Sequence, residues 1–192
     1  IQKAARDGRV AMKIARDGVE QTIDLPVSPS RPLLIADLDG AYPSYFVYGP
    51  MVFSNATQQF LGGLSNALGA FAALGNPLAL RRTDRPAFDG EALVVVASPF
   101  FPHKLSQGYS PAQSRVVKSV NGTAIKNLAH LVATLRDLKD EFVVFDFAGR
   151  RLETLVFPRK DMLEATEDIL TDNGVRTQGS PDTMAVWTEK KN

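Results

Sequence analysis

A strand, a tight turn and an amphipathic helix follow one another between Arg115 and Leu135, and this order restricts the fold more than any other part of the chain. Residues 115–120 (RVVKSV) favour a strand, Asn121-Gly122 is a turn signal, and Asn127 is a good helix N-cap. Beyond the cap, apolar residues recur at the spacing of one helix face. They are Leu128, Leu131, Val132, Leu135 and Leu138. We therefore predict a helix here that caps a sheet.

Short strand-type segments make up most of the remaining pattern. In chain order they cover residues 9–14, 21–27, 33–37, 44–54, 92–97, 141–147 and 152–157, with a tight loop at Gly49-Pro50 inside the fourth. Helical spacing recurs over residues 57–74 and 161–172. The predicted fold class is α+β, mainly β: a small, partly open β-barrel capped by helices.

The first two strand segments are expected to form a hairpin around Asp17-Gly18, a strong turn signal. No other strand stands beside them in sequence, and a lone two-stranded hairpin is marginally stable in water. Residues 28–32 (SPSRP) have the composition of a linker. We expect residues 1–30 to be the end of a preceding domain with its linker, or a hairpin that packs on the residues after the linker. Ile1 stands without an initiator methionine directly before this hairpin pattern, so the chain is expected to be a fragment of a longer protein.

The composition excludes several classes of function. The 22 basic residues balance 21 acidic ones, so net charge provides no drive toward nucleic acid or an anionic membrane. Without cysteine, the chain has no disulfide, thiolate metal site or cysteine nucleophile. The most apolar stretch, residues 60–80, is interrupted by glycine, asparagine and proline and is too broken for a membrane span.

Catalysis by this chain is not expected. A serine protease needs a nucleophile, a base and an orienting acid, and histidine occurs only at His103 and His130. No serine stands in a Gly-x-Ser-x-Gly or Gly-Asn-Ser-Gly-Gly context, and Gly63-Leu64-Ser65-Asn66 lacks the closing glycine. Two scattered imidazoles do not make a metal site, so neither a metal nor a cofactor is predicted.

Three further motifs extend the strand, turn and helix pattern. Residues 42–57 read YPSYFVYGPMVFSNAT, residues 127–131 read NLAHL, and residues 160–170 read KDMLEATEDIL. In this order, and with Val120-Asn121-Gly122 before the helix, they resemble the C-terminal PDZ region of Deg/HtrA-family serine proteases. The similarity is strongest to the branch with a divergent second PDZ domain, and it covers about residues 31–176.

The resemblance implies a division of the chain. A PDZ-like domain is expected over residues 31–176, with an insertion at about residues 57–90. Residues 9–27 are similar to the last two strands of a preceding PDZ domain. The tail over residues 177–192 is polar and is predicted to be mobile, apart from Val186 and Trp187.

The predicted insertion leaves two alternatives open. Its apolar residues Phe71, Leu74 and Leu78 either form an exposed contact patch or belong to a helix that covers the barrel. Its basic cluster, Arg81, Arg82 and Arg85, is either a solvated loop or a salt-bridge contact with a neighbouring subunit.

In a PDZ domain a peptide adds as an extra strand to a groove between a strand and a helix, and a loop of free N–H groups takes its carboxylate. The resemblance places this loop at residues 48–51 and the receiving strand at residues 51–54. Leu128 and Val132 lie one helical turn apart and are expected to favour an apolar ligand side chain. Pro50 lacks an N–H group, so carboxylate capture is expected to be weaker than usual or to rest on the Met51 and Val52 amides. The predicted peptide-binding residues are Tyr48, Gly49, Pro50, Met51, Val52, Phe53, Leu128 and Val132.

A role in the core is the open alternative for several of these residues. Leu128, with Leu131 and Leu135, has the pattern of ordinary helix packing, and Val132 and Phe53 fit either environment.

The resemblance implies a non-catalytic regulatory region of a Deg/HtrA-like serine endopeptidase that works in protein quality control. It would bind apolar C-terminal or extended segments by strand addition. The alternative is an oligomerisation or scaffold module that docks onto sister subunits without binding free peptides. Expected partners are peptides or unfolded segments, the parent protease domain and sister subunits of a homo-oligomer. For a bacterial parent, a periplasmic location is favoured over a cytoplasmic one.

Overall fold

The computed structural model describes residues 8–26 and 32–189. These residues form two compact units, which divide after Pro32. The first unit is a hairpin, and the second holds all the other described elements. Val27, the predicted end of the second strand, and residues 190–192 of the predicted tail lie outside the described residues.

The hairpin consists of β1 (Arg9–Arg16) and β2 (Val19–Pro26), which pair antiparallel. Asp17 and Gly18 have φ angles of 52° and 78°, as a two-residue type I′ turn requires. The strands run closer to the turn than predicted because this turn uses only two residues. Side chains alternate between the two faces of the hairpin. One face carries all the large apolar residues, Val10, Met12, Ile14, Val19, Ile23 and Leu25.

The second unit is built on one antiparallel sheet. Its strands are β3 (Tyr45–Tyr48), β4 (Met51–Asn55), β5 (Val94–Val96), β6 (Val116–Val120), β7 (Thr123–Ala124), β8 (Phe142–Ala148) and β9 (Leu155–Pro158). The strand order is β3-β4-β5-β6-β8-β9, and β7 pairs with β6. Within the described residues β3 and β9 lie at opposite ends without pairing, so the sheet is partly open. Together with the helices, this sheet confirms the predicted α+β fold.

Six α-helices are present in the described residues. They are α1 (Gln58–Gly62), α2 (Leu68–Ala73), α3 (Pro77–Leu80), α4 (Leu128–Asp137), α5 (Arg159–Asp172) and α6 (Pro181–Thr188). The single helix predicted over residues 57–74 is instead broken into α1, a 3₁₀ turn and α2, because Gly62 and Gly63 weaken the helix where α1 ends. The strand predicted over residues 33–37 is reduced to an isolated bridge between Ala36 and Thr57.

The strand, turn and helix pattern is confirmed at its predicted place. Asn121 and Gly122 both have positive φ, 45° and 77°, between β6 and β7. The Asn127 side chain caps α4 by accepting a hydrogen bond from the His130 amide at 2.8 Å. The buried face of α4 carries Leu128, Leu131, Val132 and Leu135, while Leu138 is half-buried.

The segment predicted to be an insertion contributes Leu61 and Leu78 to a second apolar cluster, which is separate from the main core beneath α4. This cluster contains Leu34, Ile35, Ala56, Leu61, Leu78, Leu93, Val95 and Val116. Leu78 is fully buried, so the patch alternative is wrong for this residue, whereas Leu74 and Leu80 are exposed. Arg81 pairs with the Glu91 carboxylate at 2.6 Å and with Asp84 at 3.0 Å. The guanidinium of Arg81 therefore forms its ion pairs with residues of the same loop region.

Replacing Leu78 by alanine tests whether the insertion is integral to the domain. The change leaves a cavity in the second cluster, and we expect the free energy of unfolding to fall by about 2–5 kcal/mol. Leu80→Ala, in the same helix but with a side chain that is mostly exposed, is the matched control and should stay within about 0.5 kcal/mol of the parent. Chemical denaturation monitored by circular dichroism measures both. Equal effects would contradict the packing described here.

Candidate functional site

The predicted receiving strand, β4, has neighbours on both of its edges. On one edge it pairs with β5, with Phe53 opposite Val96. On the other edge it pairs with β3, with Phe46 opposite Phe53 and Tyr48 opposite Met51. Helix α4 contacts both β3 and β4. The place beside β4 where a peptide strand was expected is therefore occupied by β3.

A two-residue turn joins β3 to β4. Gly49 has φ +54° and is followed by Pro50, the arrangement of a type II′ hairpin turn with glycine at its first position. The space at Gly49 is also restricted, because a Cβ there would lie 2.5 Å from the sulfur of Met162. The positive φ therefore favours glycine at this position, and a Cβ there would also have to displace the end of the Met162 side chain.

The turn has no free amide for a carboxylate. The Gly49 N–H donates to the hydroxyl of Thr166 at 2.7 Å, and that hydroxyl donates in turn to the Met162 carbonyl. Pro50 has no N–H, and its carbonyl accepts a bond from the Phe101 amide. The Gly49 amide, which was expected to bind a ligand carboxylate, is therefore bonded to Thr166 of α5.

The structure places the predicted site residues inside the domain. Seven of the eight are buried, and Val52 is half-buried. The buried ones are Tyr48, Gly49, Pro50, Met51, Phe53, Leu128 and Val132. Leu128 also ties α4 to β4, because its amide donates to the Asn55 side chain at 3.0 Å. Strand and helix do meet as predicted, but they meet across packed side chains.

Residues 177–188, here called the strap, lie along the outer edge of β3. Gly179 forms an antiparallel bridge with Phe46. The Val47 amide donates to the Gln178 carbonyl at 2.7 Å, and the Ser180 amide donates to the Tyr45 carbonyl at 3.0 Å. The prediction of a mobile tail is therefore wrong as far as Glu189, because the strap completes the hydrogen bonding of an edge strand.

The helical part of the strap covers the apolar end of β3. The ring centroid of Trp187 in α6 lies 5.1 Å from the ring centroid of Phe46 and 6.3 Å from that of Tyr48. Arg136 of α4 donates to the Val186 carbonyl at 2.6 Å and pairs with Glu189 at 3.2 Å. Sequence reasoning singled out Val186 and Trp187 as the ordered part of the tail, but it did not predict their partners.

The Tyr48 hydroxyl is a feature that the sequence did not reveal. It is buried and has no hydrogen-bond partner among the described residues. Burial raises the pKa of Tyr48 to about 12, although the positive charge of Arg159 opposes the shift. An apolar surrounding with an unpaired hydroxyl points to packing, since a buried hydroxyl used for binding normally has a partner.

Each of the two histidines accepts a hydrogen bond from a nearby backbone amide. The Nδ1 atom of His103 accepts a bond from the Leu105 amide, and its Nε2 atom lies 3.8 Å from Asp168. The Nδ1 atom of His130 accepts from the Lys126 amide, and burial with the nearby Lys126 charge lowers the pKa of His130. Residues 8–26 and 32–189 contain no group of three or more acidic or histidine side chains arranged to hold a metal ion.

A membrane crossing requires a helix that is both long enough and sufficiently apolar. Within the described parts of the chain, none meets both conditions.

Comparison with known proteins agrees with this architecture. The family model described as "PDZ domain" matches residues 36–182. Protease Do-like 2, chloroplastic, of Arabidopsis thaliana is 24% identical over 177 residues, which cover 92% of this chain and 28% of the relative. Putative protease Do-like 11, mitochondrial, of the same plant is 22% identical over 174 residues, which cover 91% of this chain and 26% of the relative. The chain thus spans less than a third of these relatives, and the predicted resemblance to Deg/HtrA proteases is confirmed.

Replacing Tyr48 by phenylalanine should stabilise the domain, because the unpaired hydroxyl is removed from the core. We expect a gain of about 1 kcal/mol in the free energy of unfolding near neutral pH. Tyr45→Phe is the matched control, because its hydroxyl bonds with Thr177 and is partly exposed. A loss of stability in Tyr48→Phe, measured by denaturation, would show that the hydroxyl has a bonding role.

The Tyr48→Phe variant also tests how ionisation of the Tyr48 hydroxyl changes stability with pH. The pKa of Tyr48 is about 12 in the folded chain, above the ordinary value of 10.0, so its proton is held more tightly in the folded state. This group therefore leaves the free energy of unfolding independent of pH below pH 10, and ionisation lowers that free energy as the pH rises from 10 to the folded-state value of about 12. Tyrosinate absorbance during alkaline titration should show a late component that Tyr48→Phe lacks.

Proposed function

Since this chain belongs to the PDZ-domain family, we propose that it is the non-catalytic regulatory PDZ region of a Do-like serine endopeptidase. Support comes from the relatives named as Do-like proteases, of which this chain covers 28% and 26%. On this proposal the nucleophile, base and acid of proteolysis are supplied by residues outside the chain, and the PDZ region assembles or regulates the enzyme.

Within that role, docking onto sister subunits is the function that the geometry supports best. The observation that carries it is the pairing of β4 with β3 and β5 at once. A receptor for free peptides needs an unpaired strand edge beside its helix, because main-chain hydrogen bonds supply the general part of the affinity. Here that edge is used by the chain itself, and the turn amide of Gly49 is bonded to Thr166.

Binding of apolar peptides at the eight predicted residues is the second candidate function. One observation favours it: the place beside β4 accepts an apolar extended segment, namely β3 with the sequence YFVY. A peptide would have to displace that strand. Because only Gly49 and Pro50 separate β3 from β4, displacement breaks the whole hairpin, and the docking role requires no such opening.

Peptide titration and light scattering distinguish the two candidate functions. Calorimetric titration with peptides that end in an apolar residue should show no saturable binding, because the β4 edge and the Gly49 amide are already bonded. Light scattering should show association of the chain as concentration increases. Amidated peptides are the control for carboxylate capture.

Two outcomes would contradict the proposal. Saturable binding that requires the free carboxylate would favour the peptide receptor. A monomer at every concentration would oppose docking between copies of this domain. Leu128→Glu is unsuitable as a groove variant, because the Leu128 side chain is buried in the main core and a charge there would unfold the domain.

A further inference from the structure

Strands β5 and β6 pair over a shorter length than the strands around them. Among the described residues they are paired only at Val95 and Val116, whereas β4 and β5 share three residue pairs and β6 and β8 share four. Beyond this pair, residues 125–126 bridge the two sides. They donate a hydrogen bond to the Lys118 carbonyl of β6 and accept one from the Ala92 amide, which precedes β5. The sheet therefore widens at this point.

A cavity of about 220 Å³ lies where the sheet widens. Its lining includes residues of both apolar clusters: Val94 and Val117 belong to the main core, and Leu93 and Val116 to the second cluster. All four are buried. A cavity of about 150 Å³ with an apolar lining is large enough to hold one benzene molecule. This cavity therefore has room for an apolar group of the size of one aromatic ring.

Two lysines mark the opening of the cavity. Lys118 and Lys126 line it and are exposed to solvent. Within residues 8–26 and 32–189 neither ammonium group forms an ion pair. A lysine side chain covers apolar surface with its stem and keeps its charge in water. An apolar interior with two cations at its opening suits a ligand with one apolar body and one negative charge.

The position of Lys118 at this opening comes from a β-bulge. The pairing of β6 with β8 shifts register between Val117 and Ser119, so Lys118 is the extra residue of the bulge. The shift is visible in the packing, because Val117 and Val120 both lie in the main core although three positions separate them. Bulges redirect side chains and are frequent beside functional sites. The bulge is an observation independent of the volume and lining of the cavity.

The acidic residue that lines the cavity is already neutralised. The Glu91 carboxylate accepts hydrogen bonds from Arg81 at 2.6 and 3.4 Å and from the Ala87 amide at 2.5 Å. Arg81 also lines the cavity, so its charge and that of Glu91 cancel there. The net charge around the cavity is therefore positive and comes from the two lysines.

We propose that this cavity is a binding site for a small amphipathic carboxylate whose apolar body is about the size of one aromatic ring. The body lies among the valines of β5 and β6, and the carboxylate lies at the opening beside Lys118 and Lys126. A single negative charge that stays partly in water suits lysine, whose ammonium group is a compact and strongly hydrated charge. The site does not use the edge of β4 or the strap, so it goes beyond the docking role, and its test is independent of that role.

Fluorine NMR with 4-fluorophenylacetate as the probe tests the proposal directly. Titration of the chain should show saturable binding with a Kd of about 1 mM or lower, as expected for a ligand of this size. The neutral 4-fluorophenylacetamide keeps the ring but lacks the charge. It should bind at least about fivefold more weakly, because it loses two ion pairs at the opening.

Two sets of variants locate the binding. Lys118→Gln combined with Lys126→Gln should weaken binding of 4-fluorophenylacetate at least about fivefold and leave binding of the amide unchanged. Lys139→Gln is the control at an exposed lysine outside the cavity. Ala148→Leu places a larger side chain in the cavity and should abolish binding of both probes. Ala97→Leu is its control, because Ala97 also packs against the second cluster but does not line the cavity.

Three results would overturn the proposal. Absence of saturable binding to the folded wild-type chain would show that the cavity is a packing gap only. Equal affinity of the double lysine variant and Lys139→Gln would show that the lysines do not hold the charge. If Ala148→Leu does not fold, methyl NMR of the wild-type chain locates the probe instead. Ring-induced shifts should then appear at Val94, Val116 and Val117, and shifts confined to other methyl groups would place the probe elsewhere.

Discussion

The two-residue turn between β3 and β4 is the constraint on which the rest of the domain depends. Because Gly49 and Pro50 reverse the chain at once, β3 must pair with β4 on the edge opposite β5. The tightness of the turn brings Met162 against Gly49 and gives the Gly49 amide a partner in Thr166. Helix α5 is thereby held against the turn, and the space beside β4 is filled by the chain itself.

Because β3 pairs with this edge of β4, the edge strand of the sheet is β3, and its outer side carries the backbone groups that need partners. Without the strap, the backbone groups of Tyr45 and Val47 that point away from β4 would have no partner in the protein. An unpaired strand edge invites another strand. The strap meets this need with Gln178, Gly179 and Ser180 and then covers the apolar surface of β3 with Trp187. In this PDZ fold the strand edge is therefore paired with a segment of the same chain.

Local signals in the sequence predicted most of the fold. The turn at Asn121-Gly122 and the cap at Asn127 act over a few residues, so neighbours along the chain are sufficient to identify them. The strap was predicted to be a mobile tail, apart from Val186 and Trp187, because its composition is polar; its partners lie too far along the chain for a local signal to reveal them. Gln178 and Val47 are 131 residues apart. Gly179 is needed because a Cβ would clash with residues far away in the chain. The neighbouring sequence gives no sign of that need.

Periodicity and backbone preference act locally. The order of strand, turn and helix, the apolar face of α4 and the sharp turn at Gly49-Pro50 could therefore be predicted from the residues themselves. Whether Phe53, Leu128 and Val132 face a ligand or the core depends instead on how distant segments pack, and in the fold all three are buried. An apolar side chain has the same spacing in a groove as in a packed interior, so the pattern cannot distinguish them. Which segment pairs with the edge of β4 likewise depends on the pairing between strands, and not on the residues of β4 alone.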